Sequence, residues 1–199
     1  VVDKYDQQQN GGTTLGNICQ SIAKYNNFYY IVMNNSNKIV VVNTSDFVRT
    51  ATINGFNSPQ YILPISYSKA YVSDLYASSI QIVDLNSNTI VGSVACLPGT
   101  ERMALLYNKA FITNGNSDYC YVVNTTTDLI TDSINIGKGG SSIEIDKNAK
   151  IWILASGSSL SGQAGKLVRI NPITLQIEQS FSFSSGVSPY KLCANKTHD

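Results

Sequence analysis

Apolar residues along this chain come in strand-sized runs, and four of those runs end on Asn or Asp before a short polar turn. They are 38–43 (KIVVVN), 79–84 (SIQIVD), 119–124 (YCYVVN) and 166–171 (KLVRIN). The closing residues stand at 43, 84, 124 and 171, giving steps of 41, 40 and 47 residues. A fixed period of that length is the signature of a repeat architecture.

Each period divides into four strands, a to d in chain order. In the second repeat the pattern predicts a over 60–65, b over 70–73, c over 80–84 and d over 89–94, with turns at 66–69 and 85–88. The first repeat gives b over 28–33, c over 39–43 and d over 48–53. The third gives 102–106, 110–113, 119–124 and 129–134, and the fourth 142–146, 151–154, 167–171 and 176–181. Helical periodicity is hardly visible, and short β-branched and aromatic runs separated by turn signals fit a sandwich, a barrel or a propeller. The four-strand period selects an all-β propeller, each repeat being one four-stranded antiparallel blade. Continuous apolar b strands, such as 29–32 and 151–154, fit central strands covered on both faces. The expectation is one propeller domain with blades at 18–53, 59–94, 101–134 and 141–181. Residues 1–5 read as the outermost strand of an earlier blade and 189–195 as the innermost strand of a later one. About four complete blades of a larger ring is therefore the economical account, because open sheet edges invite association.

Composition narrows the chemistry. Charged residues make up 14% of the 199 positions, and Asn, Ser and Thr supply the remaining polarity, as turn-rich β structure requires. The net charge of +1 is spread along the chain without a basic run, which argues against a nucleic-acid partner. Cys19, Cys96, Cys120 and Cys193 form no C-x-x-C pair and His198 is the single histidine, so neither a structural zinc site nor any other metal or cofactor is expected. Cys120, inside an apolar strand, reads as a buried free thiol. No stretch has the length and apolarity of a membrane span, and no signal peptide is visible.

Residues 69–74 (KAYVSD) followed by 79–89 (SIQIVDLNSNT) resemble the repeat of YVTN-type, surface-layer-like β-propellers, and 109–114 (KAFITN) matches the same pattern again. The stretch from Leu15-Gly16-Asn17 through 34–39 (NNSNKI) resembles the DUF5074-type cell-surface propellers of Bacteroidetes. The likeness runs from about Leu15 to Asn195. It implies a surface-exposed, extracytoplasmic protein with about seven blades, lipid-anchored at the outer membrane. Some members are similar to lipoproteins that capture corrinoids (vitamin B12 and relatives) beside an outer-membrane transporter. The lipidated N-terminal cysteine of that group is not in this sequence, so anchoring rests on the resemblance alone.

Candidate chemistry is sparse. One terminal His198 permits no Ser-His-Asp or Cys-His arrangement. Asp74, Glu101, Asp118, Glu144 and Asp146 could supply a glycosidase or lyase pair, but Asp74 and Asp118 lie in or beside turns and Asp146 closes a strand. Gly137–Ser142 has the wrong order and context for a phosphate loop, and no calcium loop occurs. Binding is the better-supported role. The b–c loops (34–37, 75–78, 115–118 and the insertion 156–164) and the d–a links (57–59 and 98–102) meet on one face, where loops on a rigid scaffold carry function. Tyr76 offers a stacking face there, and Asn35, Asp74, Arg102 and Asn116 offer polar contacts. Turn formation alone would also explain the Asn and Asp positions. The Gly/Ser insertion predicts mobility. Trp152, inside strand b, is expected in the core, as are two of Tyr25, Phe28, Tyr29 and Tyr30. The sequence thus reads as a non-enzymatic binding module at a bacterial surface, capturing a small polar molecule or glycan. The alternatives are a protein-interaction or surface-layer scaffold and, behind it, a lyase or glycosidase.

Overall fold

Sixteen strands follow one another through the described residues of this computed structural model, which are 5–184 and 186–195. They pair as four antiparallel meanders. The first is β1 (Cys19–Tyr25), β2 (Phe28–Met33), β3 (Lys38–Asn43) and β4 (Arg49–Asn54). The second is β5 (Pro59–Pro64), β6 (Lys69–Asp74), β7 (Ser79–Asp84) and β8 (Thr89–Ala95), and the third β9 (Thr100–Leu106), β10 (Lys109–Asn114), β11 (Tyr119–Asn124) and β12 (Leu129–Asn135). The fourth is β13 (Gly140–Ile145), β14 (Ile151–Ala155), β15 (Lys166–Ile170) and β16 (Ile177–Ser182). Each sheet is the four-stranded blade that the repeat predicts.

The recurrent Asn or Asp has a plain physical role. Its side-chain oxygen turns back onto the amides that follow, as Asn43 does with Ser45 (2.9 Å), Asp84 with Asn86 (2.8 Å), Asn124 with Thr126 (2.8 Å) and Asn171 with Ile173 (3.0 Å). That bond mimics a backbone turn and sends the chain from β-strand c into d. Four residues later the backbone enters the left-handed region, at Phe47, Asn88, Asp128 and Leu175. Phe47 and Leu175 hold φ of 59° and 61° without glycine's freedom, so the turn geometry overrides residue preference there.

The chain divides between Ser93 and Val94 into two compact units. In the first unit, blade 1 packs on blade 2 through Tyr30, Val32, Ile39, Val41 and Ile53 against Ile62, Ala70, Val72 and Val83. In the second, Phe111, Cys120, Val122 and Ile134 of blade 3 pack on Ile143, Ile151, Ile153, Val168 and Ile170 of blade 4. The other face of blade 1 buries Met33, Val40 and Val42 under Leu15, while Phe47 stacks on Tyr29 with centroids 5.8 Å apart. Cys120 is buried and all four cysteines are free.

Of the two terminal expectations, one falls almost wholly outside the described residues and one changes. Of the strand predicted over 1–5, residues 1–4 lie outside the described residues, as does His198, and Tyr5 opens a short helix, Tyr5–Gln9. Residues 189–195 form no regular strand. They nevertheless run beside β13: the Leu192 N–H donates to Ser142 Oγ (3.2 Å), whose hydroxyl reaches the Leu192 carbonyl (3.4 Å). Ser21 on β1 makes the corresponding bond to the Gln60 carbonyl of β5 (2.7 Å). Without ladder pairing of its own, the segment takes the place of a neighbouring inner strand only in part.

Candidate functional site

The loop-face residues separate by role. Asp74 ends β6 and is fully buried. Its two oxygens accept the backbone N–H groups of Asn57 (2.8 Å), Ser58 (2.9 and 3.0 Å), Tyr76 (3.1 Å) and Ala77 (3.1 Å). It is a clamp tying the d–a link to the b–c loop, and the expected ligand contact is corrected accordingly: a carboxylate enclosed by four amides has no surface to offer. Asn114 is its counterpart in blade 3 with the polarity reversed, donating to the Leu97 (3.0 Å) and Pro98 (3.1 Å) carbonyls and accepting the Asn116 N–H (2.8 Å). Pairing register makes these positions equivalent, Asp74 standing opposite Pro59 and Asn114 opposite Thr100.

The remaining loop-face candidates stay near the surface. In the first unit Asn35 is exposed within the 3-10 turn Asn34–Ser36, and Tyr76 is 66% exposed. In the second unit Arg102 is half-buried and Asn116 exposed, with the Asn116 carbonyl holding Lys138 Nζ at 2.6 Å. Beside Arg102, burial pushes the Glu101 carboxyl above its usual range, against the opposing pull of the Arg102 charge. The insertion after β14 closes on itself through paired backbone bonds between Ser158 and Gln163 (2.8 and 3.0 Å), leaving Leu160 fully exposed at its tip.

A cavity of about 400 Å³ opens at the other end of blade 4, at the β13–β14 turn rather than among the b–c loops. Its walls include Glu144, Asp146, Trp152, Leu192 and Ala194. Register explains why the lining is unusual. Reading across equivalent positions, strand a carries Ala23, Leu63, Ala104 and Glu144, and strand b carries Tyr30, Tyr71, Phe111 and Trp152. Strand c carries Val41, Ile82, Val122 and Arg169. The first three blades therefore present an apolar row and the fourth presents Glu–Trp–Arg. Tyr30, Tyr71 and Phe111 are buried to 3%, 0% and 0% exposure, whereas Trp152 is half-buried on the cavity wall, so its expected core role is revised.

The charged groups around Trp152 hold one another in place. Asp146 Oδ2 accepts the Trp152 indole N–H (2.9 Å), and its Oδ1 accepts the Asn148 (2.8 Å) and Lys150 (2.9 Å) N–H groups. Arg169 Nε lies 3.5 Å from Asp146 Oδ2, an ion pair rather than a hydrogen bond, and its guanidinium carbon is 5.9 Å from the Trp152 ring centre. Glu178 Oε1 takes Lys150 Nζ (2.7 Å) and Asn171 Nδ2 (2.9 Å), with Arg169 Nη1 3.8 Å from Oε2. Burial pushes the Asp146 carboxyl up, but the Lys150, Trp152 and Asn148 donors and the Arg169 charge outweigh it and hold the group below its usual range. Glu178 is likewise held low, first by the Lys150 hydrogen bond and then by Asn171. Among the described residues, no group of three His, Cys, Asp or Glu is placed to hold a metal ion. Sequence reasoning named Glu144 and Asp146 as carboxylates but did not join them to Trp152 and Arg169, because Glu144, Trp152 and Arg169 are separated by 8 and 17 residues. The departure of Glu144 and Arg169 from the apolar repeat consensus was the available signal.

Comparison with known proteins agrees on the fold. The model of a domain of unknown function, DUF5074, matches residues 1–191. No curated protein matches the chain in sequence. Hydrazine synthase of Kuenenia stuttgartiensis superposes with a TM-score of 0.75 at 12% identity, over 86% of this chain and 52% of that one. The WD40 β-propeller domain of Doa1 gives 0.72 at 9% identity, over 91% and 58%. Dihydro-heme d1 dehydrogenase NirN, solved in complex with DHE, gives 0.68 at 11%, over 85% and 38%. The chain spans about half the length of these structures, and at such identities the likeness shows the fold alone, a β-propeller of four-stranded blades.

Proposed function

The chain belongs to the DUF5074 family, and on that premise we propose that it is a binding module which captures a small molecule without transforming it, in the cavity beside Trp152. The observation that carries this is the replacement of an apolar row by Glu144, Trp152 and Arg169 on a face that opens to a cavity. A volume of about 400 Å³ is within the range that binds small ligands, as is a lining of hydrocarbon with a few placed polar groups. The electrostatics favour binding over glycoside or lyase chemistry. A general acid needs a carboxyl held up by its surroundings, and Asp146 in the cavity wall is held low by neighbouring donors.

Trp152 is the single tryptophan of the chain, so its fluorescence reports on the cavity directly. A panel of small ring-containing molecules should include a ligand that shifts that emission and gives a matching calorimetric isotherm. Hydrolysis or elimination of a panel member at enzymatic rates would overturn the non-catalytic part. Absence of any spectral or thermal response would overturn the cavity assignment.

The finer version comes from the family resemblance: an extracytoplasmic, lipid-anchored module that delivers a corrinoid or a glycan to an outer-membrane transporter. NirN, a structure that shares the fold, was solved in complex with DHE. Cobalamin, cobinamide and oligosaccharides therefore belong in the titration, with Asn35 and Tyr76 of the first unit, and separately Arg102 and Asn116 of the second, substituted as loop-face alternatives to the cavity. A scaffold reading has one observation in its favour. Phe181 is 60% exposed on β16 and packs edge-on to Phe183, 5.1 Å between centroids, an apolar pair open to a protein partner.

A further inference from the structure

We propose that the cavity beside Trp152 takes a small organic ammonium ion, its apolar body against the indole and its charge against Glu144. This rests on the cavity being a ligand site and goes one step further, to the chemical class.

Glu144 lines the cavity half-buried and makes no hydrogen bond or ion pair to any described residue. It stands directly across from Trp152 in the β13–β14 register, so carboxylate and ring share one face of the sheet. The other acid in the wall is already committed, since Asp146 holds two backbone amides, the indole N–H and Arg169. Arg169 is committed to Asp146 and Glu178. The rest of the wall is Ile145, Leu192, Cys193 and Ala194, with Lys147 and Asn148 from the β13–β14 turn, both exposed.

Three ligand classes can be weighed against that wall. A sugar brings a hydroxyl on almost every carbon and would bury most of them without partners, which is costly. An anion would set like charge against Glu144. An ammonium ion on an apolar body needs only what is present: an aromatic ring for the body, a carboxylate for a charge-assisted hydrogen bond, and hydrocarbon for the rest.

The test uses phenethylamine, its uncharged analogue phenethyl alcohol, and glucose, each titrated into the whole chain by Trp152 fluorescence and calorimetry. Phenethylamine should bind at least tenfold more tightly than phenethyl alcohol, with glucose inert. Glu144→Gln should bring the amine down to the affinity of the alcohol while the thermal melt stays in place. Equal binding of amine and alcohol by the wild-type chain, which requires no variant, would overturn the ammonium class and leave the cavity reading standing. So would an amine affinity unchanged in E144Q, or a preference for glucose. If none of the three probes perturbs Trp152, and no other panel member does, the cavity reading falls and the ammonium inference falls with it.

Discussion

The same cross-strand row has opposite chemistry in blades 1 and 4. In blade 1, Ala23, Tyr30, Val41 and Ala51 lie side by side across four strands and pack dry against blade 2. In blade 4, Glu144, Trp152, Arg169 and Gln179 hold the equivalent places and meet a cavity and charged neighbours instead. Backbone pairing is shared, so only the side chains and what they face differ. A repeat protein keeps its scaffold constant because each blade must fit the next. Beside the cavity the described residues show a different solution, with an acid, a ring and a guanidinium held in a pre-set array.

Transplanting the fourth row into the first should break the comparison most severely. Val41 is 1% exposed, and Val41→Arg would bury a charge with no acid opposite it, costing at least about 4 kcal/mol. The unit holding blades 1 and 2 should unfold at markedly lower urea, whereas Arg169→Val, the reverse exchange, should move the midpoint far less. Next in size is Asp74→Ala. It leaves four buried or half-buried amides without their acceptor, a loss of about 3 kcal/mol, read as a lower denaturation midpoint with native strand content retained.

The smallest effect sharpens the comparison by pH. Because the folded Asp146 carboxyl is held below its ordinary value, its stabilisation is complete above the unfolded value near about pH 4 and is lost as pH falls through the folded one. Asp146→Asn should cost about 1–2 kcal/mol at neutral pH. The stability curves of variant and wild type should converge in acid. A gap that stayed constant from neutral to acid pH would show that the carboxylate charge contributes nothing to this array.

Much of the scaffold was legible from the residues. Strands over 28–33 and 119–124 fall where the pattern placed them, and the Asn and Asp at 43, 84, 124 and 171 are the turn-formers they looked to be. Local chemistry determines such features, so a local reading finds them. The site depended on information that is not local. Trp152 and Arg169 become neighbours only through the β14–β15 register, and the cavity needs Leu192 and Ala194 brought back beside β13. Asp74 reads two ways in the sequence, as a loop-face contact and as a turn residue, and the second is the role it takes, holding the returning link at Asn57 and Ser58.

The graded depth of the cysteines gives this chain a built-in clock. Burial pushes the Cys120 thiol up to about 12, so at neutral pH its reactive thiolate is essentially absent while β11 stays sealed. Cys193 and Cys19, both exposed, record the reagent's access to surface sulfur in the same tube. The delay between surface labelling and labelling of Cys120 measures how often the third blade opens to water, and a ligand held in the same unit would lengthen it in proportion to its grip.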